Sequence, residues 1–212
     1  PSSAASDVYK RQVSTHIPSA ALNSVFAYRQ HQLIEDFSFL QRLRAAGLNT
    51  QHLTIAITGS RGSVGTALTA QLRTAGHTVI QLVRGKAGEG QRHWNPNSPD
   101  PALLHGVDVV VHLAGEPIFG RFNEKHKAAI RDSRVGPTQR LARIAGETSS
   151  VKTMVCASAV GFYGSNRGDE LLTEDSESGD GFLADVVRQW EDACEPARAA
   201  GTRVVNIRTG IA

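Results

Sequence analysis

Three glycines and the residues between them form the stretch best suited to hold a ligand. Residues 58–65 read Thr-Gly-Ser-Arg-Gly-Ser-Val-Gly, with an apolar run before them at residues 53–57 and an amphipathic run after them at residues 67–72. This order predicts a strand, a glycine turn and a helix. Glycine lets the backbone approach a phosphate, and a helix N-terminus offers free N–H groups and a positive dipole end. The stretch predicts a dinucleotide-binding turn, and a tight turn without a ligand is the alternative.

The residue after the second predicted strand bears on the choice of dinucleotide. Ligands of a doubly wound sheet bind beyond the carboxyl ends of its strands. The second strand, residues 78–83, is followed by Arg84, where an acid would bond the ribose hydroxyls and favour NAD. Arg84, with Lys86 nearby and Arg61 in the glycine turn, suits a 2′-phosphate, so we predict NADP rather than NAD. The alternative is that Arg84 is an ordinary strand end facing solvent.

The third and fourth predicted strands extend the same cleft. The third, residues 91–94, ends at Trp94, which suits packing beside the adenine or in the core equally. Asn95 could bond the adenine amine, or it could be an ordinary turn residue. The fourth, residues 107–113, runs into small residues that let the backbone pass close to a cofactor. The residues predicted to bind the cofactor are Gly59, Ser60, Arg61, Gly62, Ser63, Val64, Gly65, Arg84, Asn95, Leu113, Ala114 and Gly115.

Ser158 and Tyr163 are the predicted catalytic residues. They follow the fifth predicted strand, residues 151–157, and the polar, glycine-rich residues 161–179 are predicted to form an active-site loop. Hydroxyls close to a nicotinamide could hydrogen-bond or protonate a carbonyl oxygen. Glu116, after the fourth strand, is an ionisable group at the mouth of the cleft or else a surface carboxylate.

Strands alternate with helices throughout this part of the chain. A sixth strand is predicted at residues 203–208, and helices are predicted at residues 63–75, 123–145 and 182–200. The second of these helices should be irregular near Gly136 and Pro137. Alternation of this kind gives a parallel sheet with right-handed crossovers. We therefore predict an α/β doubly wound parallel sheet, the NAD(P)-binding Rossmann fold.

Residues 1–50 are predicted to lie outside the dinucleotide-binding domain, which spans residues 51–212. Residues 7–12, Asp-Val-Tyr-Lys-Arg-Gln, resemble the translation of a transposase sequencing adapter, so residues up to 12 are excluded from the fold prediction. A disordered tail is the alternative. Apolar residues at helical spacing predict an amphipathic linker helix over residues 30–46, which cannot bury its apolar stripe alone.

Composition excludes several classes of function. The chain has 212 residues, 40% of them hydrophobic, which is enough for a core. Its net charge is +3, and its basic residues are scattered except for four within residues 125–134, which we interpret as the solvated face of one predicted helix. This distribution does not favour nucleic acid. No apolar run of about 18 residues and no signal peptide are found, so we predict a cytoplasmic protein without a membrane partner. Cys156 and Cys194 lack metal-ligand spacing and predict buried thiols, with no metal site.

Several short motifs in the same order resemble the extended short-chain dehydrogenase/reductase superfamily. They are Thr-Gly-x-x-Gly-x-x-Gly at residues 58–65, Val-His-Leu-Ala-Gly at 111–115, Ser158 before Tyr163-Gly164, and Arg-Thr-Gly at 208–210. Finer motifs at residues 93–96, 113–118, 133–135, 158–164 and 190–191 resemble one branch, the NAD-dependent epimerase/dehydratase-like proteins called epimerase family proteins. The resemblance covers residues 53–212.

The resemblance implies an NADP-binding oxidoreductase that moves a hydride at a carbonyl or alcohol carbon of a small molecule. Ser158 matches the serine that bonds the substrate oxygen. The usual Tyr-x-x-x-Lys pair is not found: Leu183 and Val187 stand at the matching positions, and no lysine follows Lys152. A non-catalytic dinucleotide-binding sensor or interaction module is therefore the alternative.

The resemblance also bears on the two ends of the chain. Some members of the branch carry an N-terminal START-like ligand-binding domain, and residues 26–33 resemble the tail of one. Members continue past the Arg-Thr-Gly motif with a smaller region that covers the substrate. We therefore expect the sequence to be a fragment that lacks that C-terminal region.

Overall fold

A computed structural model of the chain describes residues 19–47 and 51–210. The chain divides into two compact units between Gln51 and His52. The adapter-like residues 7–12 lie outside the described residues. No helix in the described ranges combines the length and apolar character needed to cross a membrane.

The described part of the first unit is helix α1, Ser19–Ala45. It begins well before the predicted start at residue 30. Apolar residues such as Phe26, Leu33, Ile34 and Phe37 are all exposed, so they do not form one buried stripe. The start at residue 30 was predicted from the first apolar residues of the expected stripe, whereas the helix begins upstream of them, at Ser19.

The second unit is built on a six-stranded sheet in which every neighbouring pair is parallel. The strands are β1 Thr54–Thr58, β2 Thr78–Val83, β3 Gln91–His93, β4 Val109–His112, β5 Thr153–Ala159 and β6 Arg203–Thr209. Their order in the sheet is β3-β2-β1-β4-β5-β6, so the chain winds outward in opposite directions from β1 and β4. This is the predicted doubly wound α/β fold, and its switch point lies between β1 and β4.

Five α-helices and two 3-10 turns connect the strands. The helices are α2 Ser63–Thr74, α3 Glu124–Asp132, α4 Val135–Glu147, α5 Phe182–Asp192 and α6 Glu195–Ala199. The 3-10 turns are Pro101–Leu104, where a helical turn was predicted, and Val160–Tyr163, which follows β5.

Two predicted long helices are each divided, and proline explains both breaks. The predicted helix at 123–145 breaks between Asp132 and Val135, because Pro137 has no N–H for the carbonyl four residues earlier and its ring crowds that carbonyl. Pro196 has the same effect on the predicted helix at 182–200, which breaks between Asp192 and Glu195. Proline therefore acts several residues before its own position in each helix.

Alternating residues of the central strands are buried on the two faces of the sheet, where they pack against helices. On one face Val110, Met154 and Cys156 pack with Leu141 of α4 and Trp190 of α5. On the other face Ile55, Ile57 and Val111 pack with apolar residues of α2. Both cysteines are free and buried, as predicted. Helices on both faces leave the carboxyl edge of the sheet open to a ligand.

Candidate functional site

Two of the three glycines in the turn after β1 are required by the packing of the protein itself. Gly59 has a φ of +67°, and a Cβ there would lie 2.8 Å from the carbonyl carbon of Leu113. A Cβ at Gly65 would lie 2.3 Å from the carbonyl oxygen of Gly59. The turn is thus pressed against the end of β4 on one side and the first turn of α2 on the other.

Gly62 differs from its two neighbours in the motif. Its φ of −72° is open to any residue, and a Cβ there would meet only the Gly59 carbonyl oxygen, at 3.3 Å. Gly62 precedes α2, and no side chain caps the N–H groups of that helix. An exposed glycine before an uncapped helix N-terminus is the geometry that binds phosphate in dinucleotide folds.

A cavity of about 740 Å³ opens at the carboxyl edge, within the usual size range of small-molecule sites. It is lined by the turn after β1 and by the residues that follow β2, β3 and β4. Among the residues predicted to bind cofactor, those that line it are Gly59, Ser60, Arg61, Gly62, Arg84, Leu113, Ala114 and Gly115. Ser63, Val64, Gly65 and Asn95 do not line it.

The segment after β3 presents other residues to the cavity than the predicted one. Asn95 is exposed, and its side-chain oxygen accepts a hydrogen bond from the N–H of Asn97 at 3.0 Å. Trp94 and Asn97 line the cavity instead. Trp94 is also part of the core, with its ring edge-on to His112 at 5.7 Å. Trp94 therefore lies in the core and at the wall of the cavity, and its packing beside an adenine stays a prediction.

Asp132 and Ser133, at the break between α3 and α4, also line the cavity and were not among the predicted residues. They were predicted to lie inside a helix, whereas only residues after strands were searched for ligand contacts. Pro137 was the available signal, because it predicts a break near these residues.

Arg61 and Arg84 place positive charge at the cavity. Both side chains are exposed, and both residues line it. Within residues 19–47 and 51–210, neither guanidinium has a hydrogen-bond or ion-pair partner. Two unpaired guanidinium groups beside a glycine turn are suited to bind a phosphate.

A buried hydrogen-bond chain holds the glycine turn to the end of β4. Thr58 Oγ1 accepts bonds from the backbone N–H groups of Leu113 at 3.1 Å and Ala114 at 3.2 Å. With both acceptor positions used, its hydroxyl donates to Nδ1 of His112 at 2.7 Å. Nδ1 is therefore the unprotonated nitrogen of the ring.

The hydrogen-bond chain continues from His112 to side chains on α4 and α5. Thr138 Oγ1 accepts from Nε2–H of His112 and from Nε1–H of Trp190, each at 3.0 Å. Complete burial lowers the pKa of His112 to about 4 and keeps the ring neutral. His112 therefore has a structural role in this hydrogen-bond chain, and it fixes the position of residues that line the cavity.

Ser158 and Tyr163 lie together, but other protein groups occupy their hydroxyls. Ser158 Oγ donates to the carboxylate of Glu191 at 2.5 Å. Tyr163 OH donates to the carbonyl of Thr173 at 2.8 Å and accepts from Arg208 at 3.0 Å. Neither residue lines the cavity beside the glycine turn. The structure thus joins the two predicted catalytic residues in one polar cluster that does not line that cavity.

Arg208 is the centre of this cluster. Its guanidinium donates two parallel bonds of 2.9 Å to the Glu191 carboxylate and lies 3.5 Å from the centre of the Phe162 ring. Burial raises the pKa of Glu191, but the bonds from Arg208 and Ser158 outweigh it, so the net shift is downward. Glu191 is consequently a carboxylate that accepts hydrogen bonds and has no proton to give at neutral pH.

The positions of the missing Tyr-x-x-x-Lys pair lie near the turn after β5. A Cβ at Gly161 would lie 3.7 Å from Leu183 and 3.9 Å from Val187. Neither side chain can donate or accept a proton. In the part of the chain that the structure describes, no group of three or more His, Cys, Asp or Glu could hold a metal ion.

These features define a Rossmann-type α/β domain whose glycine-turn cavity lies at the switch point of the sheet. The chain belongs to the NAD dependent epimerase/dehydratase family, whose model matches residues 55–208. This agrees with the resemblance drawn from the sequence motifs.

Curated relatives match about three quarters of this chain. It is 44% identical over 161 residues to the epimerase family protein Mb2239 of Mycobacterium bovis, covering 74% of this chain and 53% of the relative. It is 36% identical over 168 residues to the epimerase family protein YfhF of Bacillus subtilis, covering 75% of this chain and 55% of the relative. The chain thus spans about half the length of the curated relatives that it matches.

The crystal structures that are similar to this one include the following two. The nucleoside-diphosphate sugar epimerase from Corynebacterium glutamicum is 56% identical with a TM-score of 0.81, over 92% of this chain and 42% of that one. The human epimerase family protein SDR39U1, solved with NADPH, is 31% identical with a TM-score of 0.62, over 74% of this chain and 53% of that one.

Proposed function

We propose that this chain forms the NADP(H)-binding part of an epimerase-family oxidoreductase that moves a hydride at a carbonyl or alcohol carbon of a small molecule. The observation that carries the proposal is the pair of unpaired guanidinium groups, Arg61 and Arg84, at a cavity lined by an open glycine turn. The human relative solved with NADPH supports the same dinucleotide.

The lining residues fit the parts of NADP(H). Gly62 and the uncapped start of α2 would hold the pyrophosphate, and Arg61 and Arg84 would hold the 2′-phosphate. Residues 113–115, on the other side of β1 from Arg84, would take the nicotinamide half. When bound, the nicotinamide supplies or accepts the hydride.

Replacing Arg84 tests the choice of dinucleotide. Arg84→Ala should weaken NADPH binding about tenfold, because a charge-assisted bond to the 2′-phosphate is lost. NADH lacks that phosphate, so its dissociation constant should stay within about twofold. Isothermal titration calorimetry with both dinucleotides measures the difference.

Arg143→Ala is the matched control, since Arg143 is an exposed arginine on α4 that does not line the cavity. It should leave both affinities unchanged. Equal losses of NADPH and NADH affinity in Arg84→Ala would contradict a role in binding the 2′-phosphate.

A binding module without turnover is the second candidate. It is favoured by the hydrogen bonds that occupy both Ser158 and Tyr163, and by the apolar residues at positions 183 and 187. Incubating a full-length version of the protein with NADPH and a panel of carbonyl compounds, including a nucleoside-diphosphate keto-sugar, separates the two candidates. NADPH oxidation supports the oxidoreductase, and tight binding without oxidation across the panel supports the module.

A further inference from the structure

Arg134 lies at the break between α3 and α4 and contacts the segment that follows β4. Its Nη2 donates to the carbonyl oxygen of Glu116 at 2.9 Å, and its Nη1 donates to the carbonyl of Ile130 at 3.1 Å. The guanidinium thereby joins residues 113–117 to the end of α3. The side chain is half-buried and is not part of any ion pair in the described residues.

The guanidinium is held on two further sides. It lies 5.1 Å from the centre of the Trp190 ring, and a Cβ added at Gly115 would come within 3.1 Å of it. Its neighbour Ser133 supports the same segment, because Ser133 Oγ accepts from the N–H of Glu116 at 3.0 Å. The backbone of residue 116 is therefore bonded on both its N–H and its carbonyl by the Ser133-Arg134 pair.

We propose that Arg134 is a positioning residue that holds residues 113–117 in the shape that receives the nicotinamide half of the dinucleotide. The inference rests on the proposed function and adds a residue to it. Gly115, Glu116, Pro117 and Ser133 all line the cavity, whereas Arg134 supports its wall from behind.

The location of residues 113–117 limits the expected effect of losing Arg134 to the nicotinamide half of the dinucleotide. β1 pairs with β2 on one side and with β4 on the other. Arg84 follows β2, and residues 113–117 follow β4, so they lie on opposite sides of the glycine turn. Loss of Arg134 should therefore disturb the nicotinamide half and leave the site of the 2′-phosphate intact.

The geometry requires an arginine. The guanidinium donates to two carbonyls from different segments while its plane packs on an indole and on a glycine. A lysine ammonium is a point donor that cannot make these flat contacts, so Arg134→Lys should not restore the function.

The test compares two ligands that share the adenosine half. Adenosine 2′,5′-bisphosphate contains the 2′-phosphate and lacks the nicotinamide, whereas NADPH contains both. Calorimetric titration of Arg134→Ala should show NADPH affinity reduced about tenfold and adenosine 2′,5′-bisphosphate affinity within about twofold of wild type. Arg134→Lys should behave like Arg134→Ala, and the control Arg143→Ala like wild type.

Each remaining outcome decides against the proposal. Unchanged NADPH affinity in Arg134→Ala would show that the wall does not depend on this residue. Equal weakening of both ligands would show a general structural role, and wild-type NADPH affinity in Arg134→Lys would show that charge alone suffices. If Arg134→Ala does not fold, Arg134→Lys alone decides by the same comparison. Failure of the wild-type protein to bind either ligand would instead refute the proposed function.

Discussion

His112 makes the folded protein sensitive to mild acid. The ring is fully buried and neutral between Thr58 and Thr138, and burial lowers its pKa to about 4. In the unfolded chain the pKa returns to about 6.5. Between these two values the unfolded chain binds more protons than the folded protein does. The free energy of unfolding therefore rises with pH in this window and falls on acidification.

The size of the effect follows from the two pKa values. At about 1.36 kcal/mol per pH unit, the interval from 6.5 to about 4 corresponds to about 3 kcal/mol of stability. This contribution is complete above the unfolded pKa and is lost as the pH falls to the folded one. Since domains are stable by roughly 5–15 kcal/mol, the loss is large enough to measure.

Urea denaturation, followed by tryptophan fluorescence at several pH values between about 4.5 and 7.5, measures this dependence. His112→Gln should lower stability at neutral pH, because the bonds to Thr58 and Thr138 are disturbed. It should also flatten the dependence of stability on pH. His105→Gln is the matched control, since His105 is exposed and its side chain has no partner among the described residues, and its pH dependence should match wild type.

The slope of stability against pH decides the outcome. Carboxylates such as Glu191 also contribute to acid sensitivity, but they are present in all three proteins and cancel in the comparison. An identical slope in wild type and His112→Gln would refute a folded state that requires neutral His112.

Further variants test the packing of the glycine turn and of the cluster around Arg208. Gly65→Ala should destabilise the protein by about 3 kcal/mol, because its Cβ would lie 2.3 Å from the Gly59 carbonyl oxygen. Gly62→Ala should destabilise it by less than about 1 kcal/mol. Equal losses of stability in urea denaturation would contradict this difference between the two glycines. Arg208→Met should cost about 3 kcal/mol because it leaves the mostly buried Glu191 carboxylate without its two-bond partner. A double-mutant cycle with Glu191→Gln measures that coupling, and additive effects of the two substitutions would show that none exists.

The sheet could be predicted because its strands are short apolar runs separated by glycine and proline signals. The ends of the strands were predicted less accurately. Val107 is buried, yet it precedes β4, which begins at Val109. Apolar character reports burial and not strand pairing, so the predicted strand was too long at that end.

The candidate site was predictable where a local pattern determines it. The spacing of Gly59, Gly62 and Gly65 indicates a strand-turn-helix connection, and the structure has one. Hydrogen bonds between residues distant in sequence could not be predicted from such a local pattern. Glu191 follows Ser158 by 33 residues, and neither residue type indicates that they bond. The environment of Ser158 and Tyr163 depends on packing between α5, β6 and the turn after β5, which no spacing rule supplies.

Strand β6 lies at one end of the sheet order, and among the described residues it pairs only with β5. The outward N–H and C=O groups of its seven residues form a ladder that a further strand could join. Ile207, 46% exposed, shows that one side of this strand is only thinly covered. The glycine turn lies at β1, two strands inward from β5. The sheet can therefore be extended past β6 without disturbing the residues around the cavity.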